Sequence, residues 1–158
     1  MGEPIVIKHH FQPIWSIVKS VKEEVESVLT GKDEAVNHAC KMAASELMEN
    51  ALKYGDAVGE NRGIMFDVTI DDHIIRIKVA NRIIREEDLA NIEKHINDIN
   101  QATDPRELYM NRLRTLLENP NICESQLGLY RIAVEGEFKL TYELEGDVVT
   151  IIASRELI

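Results

Sequence analysis

Apolar residues recur along this chain at two different spacings, and the changes from one spacing to the other predict the order of its elements. Where they recur every three or four residues we expect amphipathic helices, and where they alternate with polar residues we expect strands. The predicted helices are 14–29, 33–54, about 85–100, 104–118 and 127–135. The predicted strands are 4–8, 64–70, 73–80, 138–144 and 148–154. Two pairs of strands follow each other directly and therefore predict two hairpins.

Polar and turn-forming residues mark where several of these elements begin and end. Asp33 opens the second helix. Asp104, an N-cap residue, and Pro105, at the first helical position, start the fourth. The segment Glu-Gly-Asp at 145–147 forms the turn of the second hairpin. Hairpins with helices between them predict an α+β fold with helices on one face of the sheet, and we expect a single domain over residues 1–158.

The overall charge argues against one class of function. The chain has 18 Lys and Arg residues against 28 Asp and Glu residues, a net charge of −10, and such a surface repels nucleic-acid backbones. We therefore expect no nucleic-acid partner, and a nucleotide would need a local site.

Two other features of the sequence bear on where the protein works. No segment approaches the ~18 apolar residues of a membrane span, and the N-terminus lacks a signal-peptide pattern, which together indicate a cytoplasmic protein without a membrane partner. Cys40 and Cys123 match no metal-binding or redox spacing. We interpret both as buried thiols of a reducing compartment, and favour this over a disulfide.

The second predicted helix carries polar residues beside an apolar face. Glu46 and Asn50 are four residues apart and Lys53 is three beyond, so all three lie on the same side of the helix. One interpretation is an ordinary solvated face, which periodicity alone favours. The other is a site for Mg²⁺ and phosphate. An amide oxygen can complete the ligand shell of Mg²⁺, a carboxylate can take a proton from a hydroxyl group, and a lysine can neutralise phosphate charge.

The complete string favours the second interpretation. Residues 46–55, ELMENALKYG, resemble the N box (E-L-x-x-N-A-x-K-H/Y) of the GHKL ATPase and kinase superfamily, and most closely that of bacterial anti-sigma-factor serine/threonine kinases. The resemblance implies that Glu46 is the general base, that Asn50 binds Mg²⁺ and that Lys53 contacts phosphate. It also implies a two-layer sandwich of the histidine-kinase-like ATPase type, with a mixed sheet covered on one face by helices. The nucleotide would lie between the second helix and the helix at 127–135.

Two glycine-containing boxes of the superfamily are altered in this chain. The superfamily ends its second central strand in D-x-G-x-G, whose aspartate binds adenine, whereas this chain has Asn81 and neither glycine. The amide of Asn81 can still accept and donate hydrogen bonds to a base. The second box, G-x-G, corresponds to residues 125–128, where only Gly128 is kept; Ser125 and Gly128 are the nucleotide-binding candidates there. The resemblance also implies an arginine that assists phosphoryl transfer, and the sequence does not identify it.

The resemblance predicts an ATP-dependent protein serine/threonine kinase, similar to the anti-sigma factors of partner-switching signalling, with ATP and Mg²⁺ as cofactors. Its partner would be a small anti-anti-sigma-like protein of the STAS type or a sigma factor, and a homodimer is compatible with the same family. The altered boxes leave open an alternative, a degenerate pseudo-enzyme that binds a regulatory protein without turning over ATP. The helices within residues 85–119 stand where the superfamily has a mobile lid. We favour extra core packing as their role over a partner-binding surface.

Overall fold

The elements follow one another in the predicted order. A computed structural model describes residues 4–11, 17–29, 31–54, 64–71, 73–83, 85–119 and 127–157. The strands are β1 (Ile5–Phe11), β2 (Ile64–Ile70), β3 (Ile74–Arg82), β4 (Lys139–Glu145) and β5 (Val148–Glu156). The helices are α1 (Ile17–Val28), α2 (Glu34–Tyr54), α3 (Glu86–Gln101), α4 (Pro105–Glu118) and α5 (Leu127–Val134). The α+β class is therefore confirmed, and β1 is longer than predicted.

The strands form one open sheet in the order β1-β2-β3-β5-β4, and every neighbouring pair is antiparallel. The mixed sheet that we expected is therefore wrong for the strands described here. The reason lies in the connections. The helical crossover joins β3 to β4, which run in the same direction, but β5 lies between them. Because β5 returns through a tight hairpin, it opposes both of its neighbours.

One face of the sheet is apolar and carries the core. Alternate residues of β2 and β3 are buried, and the register sets Phe66 opposite Val79 and Val68 opposite Ile77. These side chains form one cluster with buried residues of α1, α2, α3 and α5. Burying this apolar area is the main force that holds the helices to the sheet. Asn81 continues the same alternation and lies on the same face of β3, at the end of the strand.

Side-chain caps and a glycine turn fix the ends that the sequence marks. Asp104 accepts hydrogen bonds from the backbone N–H groups of Arg106 and Glu107, at 3.1 and 3.4 Å, and starts α4. Gly146 has a φ of +63° in the turn between β4 and β5, a backbone conformation that L side chains rarely adopt.

The two helices at 85–119 differ in how they pack. α3 buries five residues against the sheet and α5, whereas α4 has half-buried and exposed residues only. The favoured interpretation, extra core packing, describes α3. α4 lies on the surface and packs against α5.

Two observations relate to the expected location of the protein. Cys40 is a buried free thiol, and burial raises its pKa to about 11 although Arg155 opposes the shift. Cys123 lies outside the described residues. None of the described helices combines the length and apolar character that crossing a membrane requires.

A buried histidine links α3 to α5. The Nδ1 atom of His95 lies 2.6 Å from the hydroxyl oxygen of Tyr130, and only 7% of His95 is exposed. Burial, with Arg112 and Lys94 nearby and Asp98 opposing, lowers the pKa of His95 to about 4. The folded protein therefore keeps this imidazole neutral at pH values where an exposed imidazole is protonated.

We predict that this histidine makes the protein less stable in mild acid. Unfolded His95 takes up a proton near pH 6.5 and the folded residue only near pH 4, so its contribution is complete above pH 6.5 and decreases as the pH falls towards 4. The loss should reach about 3 kcal/mol. Denaturant unfolding at pH 7 and 4.5 measures it. His95→Gln should show a smaller decrease than wild type, while His73→Gln, at an exposed histidine, should match wild type. Parallel decreases in all three proteins would contradict the assignment.

Candidate functional site

Glu46 lies where α2 meets α5. Its side chain is only 15% exposed, and its Oε1 atom accepts a hydrogen bond of 2.5 Å from Nη1 of Arg131. The two residues are 85 positions apart in the sequence. The pair therefore ties the second helix of the fold to the last one.

Gly128 allows α5 to come this close. A Cβ atom built at Gly128 would overlap with Oε2 of Glu46 and would lie 3.2 Å from the carboxyl carbon. The first turn of α5 thus packs directly on the carboxylate, and only a hydrogen atom fits between them. The structure thus brings two of the predicted site residues, Gly128 and Glu46, into contact.

Arg131 continues the polar contacts towards α4. Its Nε atom donates to Oε2 of Glu135 at 3.0 Å, and the hydroxyl of Tyr109 donates to the same oxygen at 2.8 Å. Tyr109 belongs to α4 and Glu135 follows the last residue of α5. A chain of four side chains, which we call the Tyr109–Glu46 relay (Tyr109, Glu135, Arg131 and Glu46), therefore joins α4 to α2.

The groups of the relay differ in how far their surroundings favour the charged form. Burial raises the pKa of Glu46, Arg131 opposes this shift, and the nearby carboxylates of Glu49 and Glu135 add to it. The pKa of Glu135 is lowered, chiefly by the hydrogen bond from Tyr109. Burial and that same hydrogen bond raise the pKa of Tyr109 to about 12. Of the two carboxylates that share Arg131, Glu46 is thus the one whose surroundings disfavour its charge.

Asn50 lies one turn beyond Glu46 on α2. Its Nδ2 atom is buried and has no hydrogen-bond partner among the described residues. An unsatisfied buried amide costs about 1–3 kcal/mol. Lys53 is exposed in the last turn of the helix. The end of α2 therefore offers an unused donor and a cation on the side that carries Glu46.

The remaining predicted site residues lie elsewhere or outside the described residues. Asn81 is 8% exposed, and its Nδ2 atom donates to the backbone carbonyl of Arg82 at 3.2 Å. Its strand, β3, packs against α2. Ser125 lies outside the described residues.

The sequence analysis missed three members of the relay. Arg131 and Glu135 are four apart, a spacing that favours an ion pair on a helix, so this half could have been found. The contacts of Arg131 with Glu46 and of Glu135 with Tyr109 join distant segments, and no pattern in the sequence indicates them.

Comparison with protein-family models gives no match to this chain, and a search of curated proteins gives no significant match either. The candidate site therefore depends on its own geometry and on the resemblance of residues 46–55.

We predict that alanine at Gly128 destabilises the protein only when Glu46 is present. The added Cβ would displace the Glu46 carboxylate from Arg131, and the loss of a hydrogen bond between charged groups costs about 1.5–3 kcal/mol. With Glu46→Ala the space is free, and alanine should then be neutral or favourable because it is the better helix former by about 1 kcal/mol. Urea unfolding of the four proteins of this double-mutant cycle gives the coupling. Additive effects of the two substitutions would show that the contact is absent in solution.

Proposed function

We propose that this chain is an ATP-dependent protein serine/threonine kinase of partner-switching signalling, related in fold and N box to the GHKL superfamily. The nucleotide would lie at the end of α2 that carries Glu46, Asn50 and Lys53. The protein substrate would be a small anti-anti-sigma-like protein of the STAS type, with a sigma factor as a further partner.

The observation that carries this proposal is the unsatisfied amide of Asn50. Asn50 has a buried donor without a partner in the described part of the chain. Asn37, Glu24 and Asp88 also bury a polar atom without a partner there, but Asn50 is the one that lies one turn beyond Glu46 on α2. A phosphate oxygen would satisfy that donor, and the amide oxygen of the same side chain could enter the ligand shell of Mg²⁺.

The residues present fit Mg²⁺ and a nucleotide best at the phosphate end. Mg²⁺ in proteins keeps several waters and is held through few side chains together with substrate phosphates, so one amide oxygen is an adequate contribution. Lys53 adds positive charge in the same turn region of α2. At the base end Asn81 is buried at the end of β3, where its carboxamide oxygen can serve as an acceptor.

Glu46 is the candidate for the base that takes the proton of the substrate hydroxyl group. A partly buried carboxylate with a raised pKa is a better base for a hydroxyl group than an exposed one, because its proton affinity is closer to that required. The guanidinium of Arg131 lies beside it, and a cation there lowers the affinity of the carboxylate for a proton. ATP would supply the phosphoryl group, and Mg²⁺ would neutralise its charge.

One observation favours the alternative, a regulatory module without turnover. In this structure Oε1 of Glu46 is held by Arg131, and a carboxylate paired with a guanidinium is a weaker base for a substrate hydroxyl group than an unpaired one. If this arrangement persisted with nucleotide bound, the protein would bind its partner without transferring phosphate.

We predict that Asn50→Ala abolishes the binding of Mg–ATP and does not lower the free energy of unfolding. The substitution removes the amide but creates no unsatisfied group. Calorimetric titration with and without Mg²⁺ measures binding. The matched control is Asn37→Ala, on the same helix, whose side chain also has a buried atom without a partner among the described residues. It should bind like wild type. Equal binding by Asn50→Ala and wild type would remove the assignment of Asn50.

We predict that Glu46→Gln still binds Mg–ATP but transfers phosphate about 10²–10⁴-fold more slowly, the usual effect of removing a general base. The measurement is transfer from γ-labelled ATP to purified STAS-type proteins of the same organism. Glu23→Gln is the control, because Glu23 lies on α1 in the cleft between α1 and α2 and is not among the charged groups that face Glu46. It should retain wild-type transfer. A wild-type protein that forms a stable complex without transfer would favour the alternative function.

A further inference from the structure

Arg131 is shared by two carboxylates. It donates through Nη1 to Glu46 and through Nε to Glu135, at 2.5 and 3.0 Å. A guanidinium has five N–H donors in a fixed plane, so it can serve both, but it has only one positive charge. Whatever strengthens its attraction to one carboxylate weakens its hold on the other.

Tyr109 acts on this competition from α4. Its hydroxyl donates to the same Oε2 atom of Glu135 that accepts from Arg131. This hydrogen bond stabilises the charged form of Glu135, so that carboxylate gains less from an ion pair with the guanidinium. α4 packs against α5, so Tyr109 reaches Glu135 only while α4 is in place.

The position of Arg131 sets how strong a base Glu46 can be. A guanidinium beside a carboxylate stabilises its charged form and so lowers its affinity for a proton. In this structure Nη1 of Arg131 donates to Oε1 of Glu46. The charged groups that face Glu46 are Arg131 and Glu135 from the α5 side and Glu49 on its own helix. Arg131 is the cation among these groups, and moving it frees the carboxylate.

We propose that Tyr109 and Glu135 are positioning residues that control the availability of Glu46, and that α4 is the regulatory element of the site. With α4 in place, Tyr109 donates a hydrogen bond to Glu135 and the guanidinium stays bonded to Glu46. When a partner separates α4 from α5, Glu135 loses that hydrogen bond and attracts the guanidinium more strongly. Glu46 then loses its ion pair. The consequence for phosphoryl transfer rests on the proposed function, whereas the state of Glu46 does not.

The state of Glu46 can be measured by chemical labelling of the full-length protein. Carbodiimide with glycine ethyl ester labels accessible carboxyl groups, and mass spectrometry of the peptide that contains Glu46 gives the labelling rate. The variants are Tyr109→Phe and Glu135→Gln. The control is Tyr142→Phe, which also removes a tyrosine hydroxyl bonded to a glutamate, here Oε2 of Glu93 at 3.0 Å, but outside the relay.

The two variants should act in opposite directions. Tyr109→Phe strengthens the attraction of Glu135 for Arg131 and should raise the labelling rate of Glu46 roughly two- to tenfold, the ratio that one such hydrogen bond is worth. Glu135→Gln leaves the guanidinium to Glu46 and should lower the rate. Tyr142→Phe should leave it unchanged. If Tyr109→Phe behaves like Tyr142→Phe, or if Glu135→Gln raises the rate, the inference is overturned.

Phosphoryl transfer separates this inference from the proposed function. If both hold, transfer to the STAS-type protein changes with the labelling rate, faster in Tyr109→Phe and slower in Glu135→Gln. The expected labelling without any transfer by wild type would reject the kinase and keep the control of Glu46. Transfer by wild type that is the same in Tyr109→Phe and Glu135→Gln would keep the kinase and reject the control.

Discussion

The contact between α2 and α5 at Glu46 is the constraint on which the arrangement of the site depends. A cation beside it stabilises a carboxylate that is largely withdrawn from water, and Arg131 supplies one for Glu46 from α5. The guanidinium can reach only if the first turn of α5 lies directly on α2, which requires a residue without a side chain at 128. α4 then packs on the other side of α5 and engages Glu135 through Tyr109. The contacts between α2, α5 and α4 thus converge on the accommodation of one charge, while apolar burial holds the helices to the sheet.

The fold was largely predictable because its signals are local. Alternation in 64–70 and 73–80 gave both strands and the buried face, and Asp104 with Pro105 gave the start of α4. The relative direction of neighbouring strands was not predictable. It depends on β5 lying between β3 and β4, and no local pattern indicates which strands pair. The mixed sheet implied by the resemblance needs two parallel strands as neighbours, and here β5 separates β3 from β4, which run in the same direction.

The site was predictable in one half only. The spacing of Glu46, Asn50 and Lys53 could be read from one helix, because residues on one helix keep a fixed geometry. Arg131 reaches Glu46 across 85 residues, and the pairing of His95 with Tyr130 spans 35. Such contacts arise only when the helices pack, so a sequence can show that a buried carboxylate or histidine needs a partner without showing which residue provides it. In the sequence, Gly128 was indicated only by its place in a known motif. Its packing against Glu46 explains why the residue at this position is a glycine.

The energy of the Glu46–Arg131 pair determines whether it is a fixed bond or a state that can change. Arg131 is 40% exposed, and ion pairs between exposed groups contribute little, about 0–1 kcal/mol in typical cases. Glu46 is more buried, so leaving it charged and alone would cost more than this, which keeps the pair formed at rest. A partner that binds the released state more tightly by only a few kcal/mol would reverse that population. A strong, fully buried pair could not be opened at this expense. An ion pair with one buried and one exposed member is stable enough to define a resting state. It is also weak enough for a binding protein to open it.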